Sequence, residues 1–255
     1  MNRNHKEQHM QIIAEIGMNH MGDQLYADEY LKALDAVHPD GITFQVQTHA
    51  YYKEASHRGL ALADEYYRHA AEHTQCLGMQ FGVGLSDVEK ISLFEEIGTD
   101  FYKILSKDIG NRELVATVLR TGKPVYVSTG MSGEEEIEKF LAHFWKVPNL
   151  TLIHTQLSYD DAETNLRAIE RLRERFGVPV AFGLHSTDVN ALYASLGFAP
   201  SALFFYMKGS RPATHRDEKH AIPLYRCQTV IAELRRLETM MGDGVKKNMA
   251  NTINS

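Results

Sequence analysis

The sequence predicts a single (β/α)8 barrel, an α/β TIM barrel, on three observations. Eight short apolar runs recur along the chain, each followed by a stretch with helical periodicity. The 255 residues match the length typical of a lone barrel. The residues with catalytic potential gather where the apolar runs end, and barrel enzymes build their chemistry at the C-terminal ends of their strands.

The runs read as strands are Gln11–Ile16, Gly41–Gln45, Met79–Val83, Phe101–Leu105, Pro124–Ser128, Leu150–His154, Val178–Phe182 and Ala202–Tyr206. The first ends in Glu15-Ile16-Gly17-Met18-Asn19-His20-Met21-Gly22-Asp23, a sharp polar loop ahead of a helix expected from about Leu25 to Val37. From Gln47 to Arg58 the chain is polar and aromatic, too long for a tight turn, and reads as an excursion that shapes a pocket. Ser86, Asp87 and Glu89 announce the third helix, with Val88, Ile91, Phe94 and Ile97 on one face and Gly98 as its stop. Leu166, Ile169, Leu172 and Phe176 repeat that pattern within Thr164–Phe176. A last helix over roughly Pro223–Met241 runs into Gly242-Asp243-Gly244. The barrel is thus expected over residues 11–241, between a frayed, polar N-terminus (1–10) and a polar tail (242–255).

A formal charge of −6 and the lack of a dense Lys/Arg run argue against a nucleic-acid partner. The apolar runs fall far short of a membrane span. The two cysteines, Cys76 and Cys227, have no metal spacing and no CxxC pair, and no signal peptide precedes the first strand, so reduced thiols in a cytoplasm are expected. A phosphate on a small ligand is compatible with this charge balance.

At the strand ends lie Glu15 with Asn19 and His20, then Gln45, Gly84, Ser106, Ser128, Tyr159, His185, and Lys208 with Arg211. Only Gly84 lacks a polar side chain. Strand alternation aims Glu15 either into the barrel or into the helix layer, and a carboxylate buried there needs a partner. It reads as an acid/base or hydroxyl-binding group, or as an anchor for loop amides. Lys103 lies within a strand and shares a face with Leu105. It can grip a phosphate or carboxylate, form a Schiff base, or snorkel between helices. Ser128 and Thr129, on a turn toward a helix, can offer hydroxyls and amides to an oxyanion. Glu134, Glu135 and Glu136 read as a first-turn cluster that stabilises that helix. His185 is a candidate metal ligand or proton carrier, or a hydrogen-bonded structural residue, and His154 faces either side.

Taken in order, these segments resemble the catalytic barrel of the N-acetylneuraminate (sialic acid) synthase family, which includes legionaminic and pseudaminic acid synthases and related spore-coat proteins. The carriers are residues 12–23, Phe44-Gln45, Tyr102-Lys103-Ile104 with Ser106, Gly122-Lys123-Pro124-Val125 leading to Ser128-Thr129-Gly130-Met131, residues 165–169, residues 176–180 and the closing residues 242–247. The resemblance implies condensation of phosphoenolpyruvate with the open aldehyde form of an N-acyl amino sugar in surface-glycan biosynthesis, with release of phosphate. It implies catalytic roles for Glu15 and His185, with Glu15 orienting sugar or water. It further implies sugar contacts from Gln45 and Tyr159, and phosphoenolpyruvate contacts from Lys103, Ser106 and Ser128. Asp108 and Lys208 join the substrate-binding candidates. A divalent manganese or magnesium ion is implied, with His185 as one ligand and a Lewis-acid role at the aldehyde oxygen.

The sequence also departs from the family pattern. Thr43 stands where a phosphate-binding lysine is usual. Gly84 lies in the altered third-strand tip, Leu157 in the altered sixth, and Leu184 before His185. The strand-eight metal histidine aligns with Met207, a poor ligand for a hard cation. The antifreeze-like C-terminal domain of full-length members is not expected here. The reading is therefore a divergent synthase, acting as a homodimer or with a separate partner subunit. Two alternatives are a non-catalytic sugar-binding accessory barrel and a lyase or aldolase using Lys103 as a Schiff base.

Overall fold

The computed structural model describes residues 9–144, 147–211 and 215–246. Eight strands form the barrel: β1 (Gln11–Gly17), β2 (Gly41–Val46), β3 (Gln80–Leu85), β4 (Phe101–Ile104), β5 (Val125–Ser128), β6 (Leu150–His154), β7 (Val180–Gly183) and β8 (Ala202–Lys208). Each pairs in parallel with the next, and β1 pairs with β8, Gln11 opposite Ala202 and Glu15 opposite Tyr206, so the sheet closes on itself. All eight expected strands are present, with bounds that shift by two residues at most. A two-residue strand, β9 (Ile222–Pro223), lies against the end of β8.

The helices are α1 (Gln24–Val37), α2 (His49–Lys53), α3 (Asp64–Cys76), α4 (Ile91–Ile97), α5 (Arg112–Arg120), α6 (Glu134–His143), α7 (Ala168–Phe176), α8 (Asn190–Ser195) and α9 (Leu224–Met241). None among the described residues is long and apolar enough to cross a membrane. Asp23 caps α1, its side chain accepting from the Tyr26 amide at 3.1 Å. The helix buries Tyr26, Ala27, Tyr30, Leu31 and Leu34 against the sheet. Gly98 ends α4 with φ +82°, a conformation cheap for glycine. At α6, Glu136 caps the Gly133 amide and Glu134 pairs with Arg171 and Arg175 of α7, so the acidic first turn is structural.

The excursion expected over Gln47–Arg58 contains a short helix, α2. Two expectations need correction. The helix expected from Thr164 begins only at Ala168, because Asn165 adopts a left-handed conformation (φ +46°) that a helix cannot include. Met10, expected to be frayed, is buried, its amide donating to Glu238 of α9 at 2.6 Å and its carbonyl accepting from Arg235 at 2.7 Å. The N-terminus before His9 and the tail after Lys246 lie outside the described residues.

Alternation along the strands separates two apolar regions. Outward-facing residues such as Ile12, Phe44, Val83, Leu152 and Phe205 build the sandwich between barrel and helices. Inward-facing Ile13, Phe101, Ile153, Ala181, Ala202 and Phe204, with Tyr126, fill the lower barrel. The Tyr126 ring meets Phe101 and Phe204 edge-on, at centroid distances of 5.6 and 5.0 Å. Small residues make room for these rings: a Cβ on Gly82 would stand 2.3 Å from the Phe101 ring. Gly82→Ala is therefore expected to overpack the interior and lower unfolding free energy by about 1–3 kcal/mol in urea titrations. An unchanged midpoint would show that the ring is not held there.

Candidate active site

Above the apolar floor the inward positions become polar. Glu15 (β1) and Lys103 (β4) project into the barrel from opposite parts of the wall, and both are buried. The Lys103 ammonium donates to Glu15 Oε2, forming an ion pair. The same oxygen accepts from Thr43 Oγ1 at 3.2 Å. Lys103 Nζ lies 5.3 Å from the centre of the Tyr206 ring and 5.5 Å from that of Phe204. Burial of either charge alone would cost several kcal/mol, and pairing with the other offsets that cost. Both open orientations are thereby resolved toward the barrel interior.

Asn19 holds the roof over this pair. Its side-chain amide donates to the Met207 carbonyl at 2.8 Å, and its Oδ1 accepts from the Asp217 amide at 3.1 Å, which binds the β1 loop to the loop after β8. The Asp217 carboxyl is pushed up to about 7, first by burial and then by the charge of Glu15, while Lys103 opposes the shift. Beyond it, the His220 ring stacks on His185 with centroids 4.1 Å apart and planes at 23°. Tyr206 meets His220 edge-on at 5.3 Å, and Tyr159 lies 6.0 Å away. Burial, with Lys103 nearby, lowers His220 to about 4; burial, His220 and Lys103 lower His185 to about 3. Both imidazoles are thus neutral, the form that can accept a proton or bind a cation.

The sequence-selected residues separate into two groups. Glu15, Lys103 and His185 are joined through Tyr206, whose hydroxyl is 3.5 Å from Gln45 Oε1. Ser106 and Ser128 share a hydrogen bond of 2.8 Å. Tyr159 is half exposed, with the Lys219 ammonium over its ring at 4.6 Å. Others are tied into neighbouring structure. Asp108 accepts from Ser86 at 2.6 Å and pairs with Lys107. Lys208 donates to the Glu218 carboxylate and carbonyl, both at 2.6 Å, and Arg211 pairs with Asp23 and Glu29. Thr129 donates to the Ile153 carbonyl, and His154 contacts the Thr164 carbonyl at 3.1 Å, so both serve the scaffold.

The positions that depart from the family pattern also differ in orientation. Thr43 faces Glu15, and a Cβ at Gly84 would meet Leu105 at 3.3 Å. Leu157 is half exposed, whereas Leu184 is buried on the helix side. Met207 is wholly buried in the same helix-side cluster. The position aligned with the strand-eight metal histidine therefore points away from the mouth, and Tyr206 is the neighbour that faces it.

Sequence reasoning missed Tyr206, Asp217 and His220. The signal lay in His215-Arg216-Asp217-Glu218-Lys219-His220, six consecutive ionisable residues after the last strand.

His20, also selected, turns away from the ion pair. Its Nδ1 accepts from the Gly22 amide at 3.0 Å and its ring packs against Phe44. Burial lowers it from 6.5 to about 4. Its stabilising effect is complete above pH 6.5 and is lost as the pH falls toward 4, where the unfolded chain takes up a proton that the fold refuses. The integrated loss is on the order of 3 kcal/mol. Denaturation from pH 7 to 4 should therefore show a shallower pH dependence for His20→Gln than for the wild type; parallel curves would contradict the assignment.

Residues 10–246 match the model of the NeuB family. The chain is 24% identical over 264 residues to an N,N'-diacetyllegionaminic acid synthase of Campylobacter jejuni, covering 92% of this chain and 78% of that protein. It is 25% identical over 260 residues to a pseudaminic acid synthase of the same species, covering 91% and 75%. Its fold superposes on an N-acetylneuraminic acid (sialic acid) synthetase of Leptospira borgpetersenii with a TM-score of 0.88 at 21% identity, covering 100% of this chain and 94% of that one. The chain belongs to the NeuB family, the sialic acid synthase family that its motifs resemble.

Proposed function

We propose that the protein condenses phosphoenolpyruvate with the aldehyde form of an N-acyl amino sugar, making a nonulosonic acid for a surface glycan in the cytoplasm. The observation that carries this reading is the Glu15–Lys103 pair at the barrel mouth, on two of the segments that resemble the family's motifs. In the reaction, C3 of phosphoenolpyruvate forms a bond to the aldehyde carbon, water adds at C2, and phosphate departs. Lys103 keeps two N–H donors beyond the one given to Glu15 and can direct them at the anion. Ser106, in the turn after β4, and Ser128, at the end of β5, add hydroxyls. Glu15 is placed to orient water and accept its proton, and the mouth-facing Gln45 and Tyr159 supply sugar contacts. Asp108 and Lys208 act indirectly, by fixing Ser86 and Glu218.

A divalent manganese or magnesium ion belongs to this proposal. His185 suits it, because burial keeps a neutral imidazole at the mouth. When bound, the ion would polarise the aldehyde oxygen. A homodimer or a partner subunit would complete the sugar site.

One observation favours a second reading, a sugar-binding accessory barrel. Thr43 replaces a cation and Glu15 neutralises much of Lys103, so phosphoenolpyruvate would lose charge-assisted contacts worth roughly 1.5–3 kcal/mol each. The Schiff-base alternative is disfavoured, since an ammonium held in an ion pair carries no lone pair for attack on a carbonyl. Phosphate release from phosphoenolpyruvate, measured with manganese and a panel of N-acyl hexosamines, separates the readings. We expect release with at least one aldose, and a fall of about 100-fold or more in Lys103→Met. No release with any aldose, together with calorimetric sugar binding, would replace the synthase by the accessory protein.

A further inference from the structure

Tyr26 and Tyr30 of α1 carry two hydroxyls that the proposed reaction does not use. Both residues are buried, with ring centroids 5.2 Å apart. Packing between helix and sheet needs only the rings, so each buried O–H has to be accounted for separately. Both reach the loop after β8. Tyr30 Oη accepts from the Gly209 amide at 2.8 Å and donates to the Asn19 carbonyl at 3.2 Å. Tyr26 Oη lies 2.5 Å from His215 Nε2.

From Tyr26 the contacts continue without a break. His215 is buried, its Nδ1 meets Glu218 Oε2 at 2.7 Å, and Glu218 Oε1 accepts from Lys208 at 2.6 Å. Lys208 and then His215 hold the Glu218 carboxyl down to about 2, so it is an anion that accepts from both. With Nδ1–H directed at that carboxylate, a neutral His215 ring accepts the Tyr26 proton at Nε2. A charged ring would donate to the same hydroxyl oxygen, so the contact holds in either form. Lys208 is the last residue of β8, and the chain returns to pair there at Ile222–Pro223. The Lys208–Glu218 pair therefore clips the loop to its own base, and Tyr26 ties it to α1. The approach is close: a Cβ on Gly209 would stand 2.5 Å from Tyr26 Oη, and the Arg211 guanidinium lies over the Tyr26 ring at 4.4 Å.

We infer that Tyr26 is a positioning residue of the barrel mouth, which through His215 and Glu218 fixes the 215–220 segment and so keeps Asp217 and His220 in place before a ligand arrives. The inference rests on the reading of the mouth as the active site and adds to it a chain of contacts from the helix layer. Asp217 and His220 flank Glu218 in sequence, and their own anchors are few. The Asp217 amide donates to Asn19 Oδ1 and the His220 amide to the Asp217 carbonyl, whereas neither His220 ring nitrogen is hydrogen-bonded. The hydroxyl–imidazole–carboxylate–ammonium chain supplies the rest. A wall held in its working geometry beforehand spares the ordering cost at the moment of binding.

The test is amide hydrogen exchange of the full chain, read residue by residue by NMR. Tyr26→Phe removes one oxygen and keeps the ring. The amides of Asp217, His220 and Ala221, bonded to Asn19 Oδ1 and the Asp217 carbonyl, should then exchange on the order of tenfold or more faster, with the barrel-strand amides unchanged. Tyr66→Phe, which removes a hydroxyl bonded to Asp28 elsewhere on α1, should leave them as in the wild type. The Asp217 carboxyl carbon gives a second signature. It should titrate at about 7 in the wild type and fall toward the ordinary value of about 4 in Tyr26→Phe, as the loosened segment admits water. Glu218→Gln, which breaks the same chain at a half-exposed residue, serves if Tyr26→Phe does not fold. Wild-type exchange over 217–221 in the folded variant would overturn the inference. So would a loss of protection spread evenly over the barrel strands, which marks a general support of the fold. In the phosphoenolpyruvate assay, Tyr26→Phe should lower kcat/KM on the order of tenfold. If the segment loosens in the variant while the wild type releases no phosphate, the positioning role stands and the synthase reading falls. If phosphate is released and the segment ignores Tyr26, the synthase reading stands and the positioning role falls.

Discussion

A carboxylate and an ammonium buried against each other at the top of the barrel interior constrain everything around them. Glu15 and Lys103 come from β1 and β4, strands that are not neighbours in the sheet, so their contact reaches across the barrel instead of along it. Below them the interior is a packed apolar floor of Ile13, Phe101, Ile153 and Phe204. A water-filled surround is therefore unavailable from that side, and either charge without the other would be left in a poor dielectric. Thr43 and the two aromatic rings supply what further polar contact the pair has.

That constraint propagates upward through Asn19. Asn19 is wholly buried and ties the end of β8 to the segment that carries Asp217 and His220. Burial beside Glu15 pushes the Asp217 carboxyl up to about 7. The mouth consequently contains one matched ion pair, one carboxyl that titrates near neutrality and two neutral imidazoles. This is a low-charge setting, with Thr43 adding no charge beside Glu15. The loop after β8 thus brings two ionisable side chains, Asp217 and His220, to the mouth beside Tyr206.

The barrel was legible because its signals are local. Apolar runs punctuated by glycine, proline and capping residues locate β1 to β8, and Gly98 stops α4 where periodicity places the stop. Alternation put Lys103 on the face of Leu105 but left open whether that face is the interior, and its partner was not legible at all, because the register of β1 against β4 is a tertiary property. Met207 shows the opposite failure. Alternation with Tyr206 already implied that one of the two faces outward, and the structure puts Met207, the position aligned with the metal histidine, on the helix side. His220 was invisible for a third reason: its path depends on the Asn19 hydrogen bond to Asp217, and no periodicity encodes that contact. The start of α7 was misplaced because a left-handed Asn165 leaves little trace in hydrophobic pattern.

If Glu15 and Lys103 act as one unit, a double-mutant cycle in unfolding free energy shows it most directly. Glu15→Gln and Lys103→Met each leave the partner buried and uncompensated, so each is expected to destabilise the barrel by about 3–5 kcal/mol. The double variant should recover a large part of that loss, with a coupling energy of about 2 kcal/mol or more. Additive effects, with no recovery in the double variant, would mean that the two charges are solvated independently and that the mouth is not organised around them.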